Sequence, residues 1–67
     1  MQYTNSQMTQ LIDEHIHSER DRALLKRRLI DGVRFEPLAE EFDLSVRHTK
    51  TIVTQAKEIL FALIIAL

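Results

Sequence analysis

The chain has no cysteine, which closes off disulfide staples and cysteine-based metal sites. It has one Gly, one Pro and no Trp, and only 6% of its residues are aromatic. Those scarcities argue against a turn-rich β-sandwich, a collagen-like repeat and a Pro/Gly-rich disordered tail. No basic segment precedes an apolar run, so no signal peptide is expected. The longest uninterrupted apolar stretch, 59–67, is nine residues, whereas a membrane span needs about 20. What remains is a 67-residue chain that is 45% hydrophobic and 28% charged. Such a chain is expected to form a single all-α domain over 1–67, soluble and cytoplasmic. A domain of this size buries only about 60% of the surface its unfolded chain exposes, which leaves little room for an enclosed active site.

The net charge of −1 conceals strong segregation along the chain. Residues 1–19 carry Asp13, Glu14 and Glu19 and no Lys or Arg. Residues 20–34 set Arg20, Arg22, Lys26, Arg27, Arg28 and Arg34 against only Asp21 and Asp31. An acidic block follows, with Glu36, Glu40, Glu41 and Asp43. From 44 to 57 come Arg47, Lys50 and Lys57 with no acid. Two basic blocks separated by an acidic one can fold into a one-sided basic surface. Nucleic-acid binding responds to local charge, so the near-neutral total does not exclude it.

Apolar spacing and punctuation divide the chain into four helices, the last one long. The first is expected from about Ser6 to His17, capped by Asn5 or Ser6, with Met8, Leu11, Ile12 and Ile16 on one face. Ser18 and Asp21 resemble a capping pair opening a second helix to about Ile30, with Leu25 and Leu29 inward and Leu24 and Ile30 at its flanks. Gly32 stands where a left-handed residue would end it. A short third helix starts near Glu36, with Pro37 in its first turn, and stops around Asp43. Ser45 caps the fourth, whose Ile52, Val53, Ala56, Ile59, Leu60, Leu63 and Ile64 recur at spacings of three and four.

The stretch 35–56 has the requirements of a helix-turn-helix core. Ala39 is the small residue that lets two helices cross closely, and Leu38 and Phe42 anchor the first helix. Leu44 fills the turn, and Ile52 and Val53 hold the second helix down. Asp43 occupies a turn position where Gly is common, and Asp tolerates the left-handed conformation. The second helix offers Arg47, His48, Lys50, Thr51 and Thr54 outward with no acid among them. That composition suits a helix that approaches phosphates and base edges.

The residues 19–29 (ERDRALLKRRL), Gly32, 35–45 (FEPLAEEFDLS) and the helix that follows together resemble region 4 of bacterial sigma-70 factors. Similar free-standing modules occur among phage and mobile-element transcription regulators. The resemblance covers about 19–60 and includes no counterpart of region 2. It implies a transcription regulator that binds duplex DNA in the major groove through the fourth helix. Position by position, Arg47, His48, Lys50 and Thr51 fall where that family contacts bases and backbone. Val46 and Thr49 depart from it, standing where Arg and Ile are usual.

The remaining polar residues admit plainer readings. Arg20, Arg22, Lys26 and Arg27 either reach the DNA backbone or pair with nearby acids, and Arg27 is assigned to phosphate. His15 and His17, two residues apart on one helix, would point to different sides with no third ligand near, so no metal and no cofactor are expected. No nucleophile–base pair, carboxylate pair or Gly-rich phosphate loop is present, and an enzyme is not expected. The tail 59–67 is apolar around its whole circumference, unlike a surface helix. Leu60, with Ile64, is expected to pack on the first helix, while Phe61, Leu63, Ile65 and Leu67 stay in water. The tail is therefore assigned to a homodimer through Ile59, Phe61, Leu63 and Ile64, rather than to a membrane. The alternative function is a helical module that binds RNA polymerase or another protein with little DNA affinity of its own.

Overall fold

The computed structural model describes residues 4–66, and the side-chain surroundings of 4–63. Four helices follow in order: α1 (Asn5–His15), α2 (Glu19–Leu29), α3 (Phe35–Glu41) and α4 (Val46–Ala66). There is no strand among the described residues, so the fold is all-α with a long final helix. At about 1.5 Å per residue, α4 nearly accounts for the 34 Å long dimension of the molecule.

Local chemistry sets each helix boundary. α1 starts one residue earlier than the Asn5 or Ser6 cap implied, because Thr4 and Gln7 form a full capping box. Gln7 N–H donates to Thr4 Oγ1 (3.1 Å), and Thr4 N–H donates to Gln7 Oε1 (2.8 Å). The helix ends at His15, and Ile16 turns extended, which leaves His17 in the connection. Ser18 caps α2 as expected, its Oγ accepting from Asp21 N–H at 3.3 Å. The Asp21 carboxylate does not return the bond; it holds Arg20 instead. Gly32 lies at φ 73°, the left-handed geometry anticipated for it. α3 begins at Phe35 rather than Glu36, which places Pro37 third, still within the turn whose amides lack helical partners.

The joint between α3 and α4 is a Schellman motif. Leu44 N–H donates to the Ala39 carbonyl (2.8 Å) and Asp43 N–H to the Glu40 carbonyl (3.2 Å). Asp43 takes the left-handed position, φ 56°, that Gly usually fills. Ser45 then caps α4, its Oγ accepting from His48 N–H at 3.0 Å.

The core draws on every helix: Ile12 and Ile16, Leu24 and Leu25, Leu38 and Ala39, and Ile52, Val53, Ala56 and Leu60. Leu60 belongs to the same buried cluster as Ile12 of α1 and Ile16 just beyond it. The inward face of α2 departs from expectation. Leu24 is fully buried and Leu29 only partly, because α2 touches all three other helices and needs adjacent residues, about 100° apart, to reach them.

Candidate nucleic-acid interface

α4 is held from behind by α3. Leu38 and Ala39 from α3 and Ile52, Val53 and Ala56 from α4 are all buried. Leu44 fills the turn between them. Thr49 also faces inward and is fully buried, its Oγ1 donating to the Ser45 carbonyl at 2.9 Å. A β-branched residue satisfied in this way serves as a core residue, which explains Thr where a fully apolar residue would also fit.

With that side fixed, the opposite side of α4 faces water. Arg47, Lys50, Thr51 and Thr54 line one continuous exposed stripe together with Gln55 and Glu58. Sequence reasoning missed Gln55, although it lies one turn beyond Thr51 and two beyond Arg47. Its amide can present a donor and an acceptor to one base edge. Glu58 ends the acid-free section, so the usable surface is the first turns of the helix. His48 is exposed beside the stripe rather than within it. Thr51 Oγ1 donates to the Arg47 carbonyl at 3.1 Å, which commits its proton and leaves the oxygen as an acceptor.

The cations of α2 are arranged differently. Lys26 pairs with Asp13 of α1 (2.7 Å), and Arg20 with Asp21 (3.1 Å). Arg27 Nε donates to both Glu41 oxygens (3.0 and 3.2 Å), and its Nη1 donates to Asp31 (3.0 Å). Those bonds, with the Glu41 charge, raise the Arg27 pKa above its ordinary value. The Arg27 guanidinium, assigned to phosphate, thus fastens α2 to α3 through Nε and holds Asp31 through Nη1, and only its Nη2 is left without a carboxylate partner among the described residues. Among the described residues, Arg22, Arg34, Arg47 and Lys50 form no ion pair.

Arg28 has another partner. Its guanidinium carbon lies 4.0 Å from the centroid of the Phe35 ring, and Nη1 donates to the Val33 carbonyl at 3.0 Å. The Lys50 ammonium lies 5.6 Å from the same ring. No sequence pattern pointed to this meeting of α2, α3 and α4.

The residues assigned to dimerisation do not form one patch. Ile59 and Phe61 are about half exposed (48% and 54%). Residues two apart on a helix point roughly 200° away from each other, so they lie on opposite sides of α4. Phe61, seven residues past Thr54, continues the side of the polar stripe. Ile59 instead borders a small cleft of about 220 Å³ with Ile16, Ile52 and Ala56. Leu63, one turn beyond Ile59, is half-buried rather than left in water, and the Ile64 side chain lies outside the described residues.

The two histidines also need revision. With α1 ending at His15, His17 is not on the helix, and both line that same cleft beside Asp21. No group of three His, Cys, Asp or Glu among the described residues is arranged to hold a metal ion. No described helix is long and apolar enough to cross a membrane. Comparison with protein-family models, curated proteins and solved structures finds no match for the chain.

Proposed function

We propose that this protein binds duplex DNA through α4 and regulates transcription, as its likeness to sigma-70 region 4 implies. The observation that carries the proposal is the α4 stripe: Arg47, Lys50, Thr51, Thr54 and Gln55 face water on a helix braced by α3, with no acid before Glu58. An exposed helix of that width fits the major groove, where its N-terminal turns meet base edges. Arg47 supplies a bidentate donor, Thr51 and Thr54 supply hydroxyls and methyl groups, and Lys50 supplies charge. Selection of bound sites from random duplexes, followed by titration across salt concentrations, tests the proposal. Enrichment of one motif, with affinity falling steeply as salt rises, is the expected result. No enrichment and no salt-sensitive retention would remove it.

A second component is self-association, which would set two recognition helices against half-sites about one DNA turn apart. Ile59 is its best-placed residue, since it extends the apolar wall formed by Ile16, Ile52 and Ala56. The exposed Ile59 and Phe61 equally suit the alternative reading, an interaction module for RNA polymerase or another protein. Salt-insensitive capture of a polymerase subunit without DNA retention would favour that alternative.

A further inference from the structure

Lys50 is fully outside the core, makes no ion pair among the described residues, and carries a long stem with several free torsions. Such a side chain ordinarily sweeps a wide volume, and ordering it on DNA costs rotamer entropy. Here its ammonium lies 5.6 Å from the centroid of Phe35, inside the roughly 6 Å range of a cation–π contact. Phe35 itself is held in place. It is the first residue of α3, packs against the core, and has the Arg28 guanidinium 4.0 Å from its centroid. Arg28 in turn is tied by its bond to the Val33 carbonyl. A fixed ring therefore lies beside a mobile cation.

We propose that Phe35 is a positioning residue that draws Lys50 off the α4 axis toward the start of α3 and so makes it a phosphate contact rather than a base reader. This rests on the DNA-binding reading of α4. A lysine leaning back over Phe35 sits at the edge of the stripe, on the α3 side, while Arg47, Thr51 and Thr54 keep its outward line. In a major-groove pose the edge of the recognition helix meets a backbone strand and its outward line meets the bases. The Phe35 quadrupole holds the ammonium there without neutralising it, unlike a carboxylate partner, so its charge stays available to DNA.

The test uses the full chain as wild type, Phe35→Leu, Phe35→Tyr, Lys50→Ala and the Phe35→Leu/Lys50→Ala double variant. In the free protein, the Lys50 ε-methylene protons should be shifted upfield by the ring, keep that shift with Tyr, and lose it with Leu. On a short mixed-sequence duplex, Phe35→Leu should weaken binding roughly two- to fivefold in the wild-type background. It should cause no further loss where Lys50 is already Ala, and Phe35→Tyr should restore binding. Lys50→Ala should lower the salt slope by about one unit and weaken all sequences alike. Unshifted Lys50 protons in the wild type would overturn the proposal without any substitution, so failure of Phe35→Leu to fold would not shield it. Equal losses from Phe35→Leu in both backgrounds, or lost discrimination at a single base position in Lys50→Ala, would also overturn it. A ring-shifted Lys50 in a chain that does not bind duplex DNA would overturn the DNA reading instead, and with it the role assigned to Lys50.

Discussion

α2 and α4 both carry several cations, and among the described residues the fold gives carboxylate partners to three of the five on α2 but to neither Arg47 nor Lys50 on α4. On α2, Lys26 reaches back to α1, Arg27 reaches forward to α3, and Arg20 closes on its neighbour Asp21. On α4, Arg47 and Lys50 meet no carboxylate among the described residues. The difference follows from position. Both helices touch all three others, but Lys26 and Arg27 lie where Asp13 of α1 and Glu41 of α3 come within reach. α4 turns one side entirely to solvent, and the acids of α3 lie on a helix packed behind it. A count of charges along a chain therefore overstates the basic surface where acids of neighbouring helices come within reach, as at Lys26 and Arg27, and reads it correctly where none does, as at Arg47 and Lys50.

The largest expected effect comes from breaking the contact that separates these two roles. Leu38 is fully buried at the crossing of α3 with α4, and Leu38→Asp places a charge there without a partner. That costs several kcal/mol, against a total stability of roughly 3–10 kcal/mol for a chain of this length. Loss of cooperative thermal unfolding by circular dichroism is the expected outcome. A variant that still melts cooperatively near the wild-type temperature would mean that α4 is not seated on α3 as described.

Charge removal on the two helices tests the contrast itself. Arg47→Ala with Lys50→Ala should nearly abolish duplex binding, lower the salt slope by about one unit through Lys50 and relax discrimination at one base position through Arg47, with little change in melting temperature. Lys26→Ala with Arg27→Ala should do the reverse: a modest loss of melting temperature, as expected for exposed ion pairs, and a salt slope close to wild type. Equal slopes for the two double variants would erase the distinction between α2 and α4.

Much of this architecture was legible in the sequence, for reasons that can be assigned. Ser18, Gly32, Asp43 and Ser45 act through short-range geometry, so each could be placed before the fold was known. The Leu38–Ala39 and Ile52–Val53 anchors were readable because apolar periodicity is itself a local pattern. Arg27 and Phe35 were not readable in this way. Their partners lie on other helices, Glu41 fourteen residues from Arg27 and Lys50 on the helix after that of Phe35, and only packing decides which pairs meet. The tail failed for a different reason. Apolar content marks 59–67 as unusual, but a helix turns about 100° per residue, which sends Ile59 and Phe61 to opposite sides rather than into one patch.

That rotation yields a smaller, sharper prediction. Ile59→Glu and Phe61→Glu change the charge equally but act on different sides of α4. If self-association uses the Ile59 side, sedimentation should show a monomer for Ile59→Glu and a dimer for Phe61→Glu. Phe61→Glu would instead add an acid in line with the polar stripe of α4 and, on the proposed DNA-binding role, weaken duplex binding modestly. A dimer that survives Ile59→Glu and is lost with Phe61→Glu would move the interface to the same side as the recognition surface. Two such surfaces could not then both face DNA freely.

The smallest effect lies in the joint between α3 and α4. Asp43 holds a left-handed backbone, φ 56°, at the Schellman position where Gly carries no steric penalty. Asp tolerates this conformation better than most residues but still strains against its own Cβ. Two opposing terms decide the sign of Asp43→Gly. Relief of the left-handed strain, at most about 1–2 kcal/mol for an ordinary residue and less for Asp, favours the variant. The greater freedom of Gly in the unfolded chain, roughly 0.4–1 kcal/mol, opposes it. The bonds that define the motif, Leu44 to Ala39 and Asp43 to Glu40, are backbone bonds and survive the change. A net gain of no more than about 1 kcal/mol is therefore expected, visible as a small rise in melting temperature. Removing one exposed acid from the turn that leads into α4 should also slightly raise affinity for mixed-sequence duplex at low salt, and the gain should fade as salt screens it. Asp43→Ala makes the control, since Ala keeps the Cβ and loses the carboxylate. It should share the low-salt gain in binding while lowering the melting temperature. If Asp43→Ala melts as high as Asp43→Gly, the left-handed backbone at this joint is not what limits its stability.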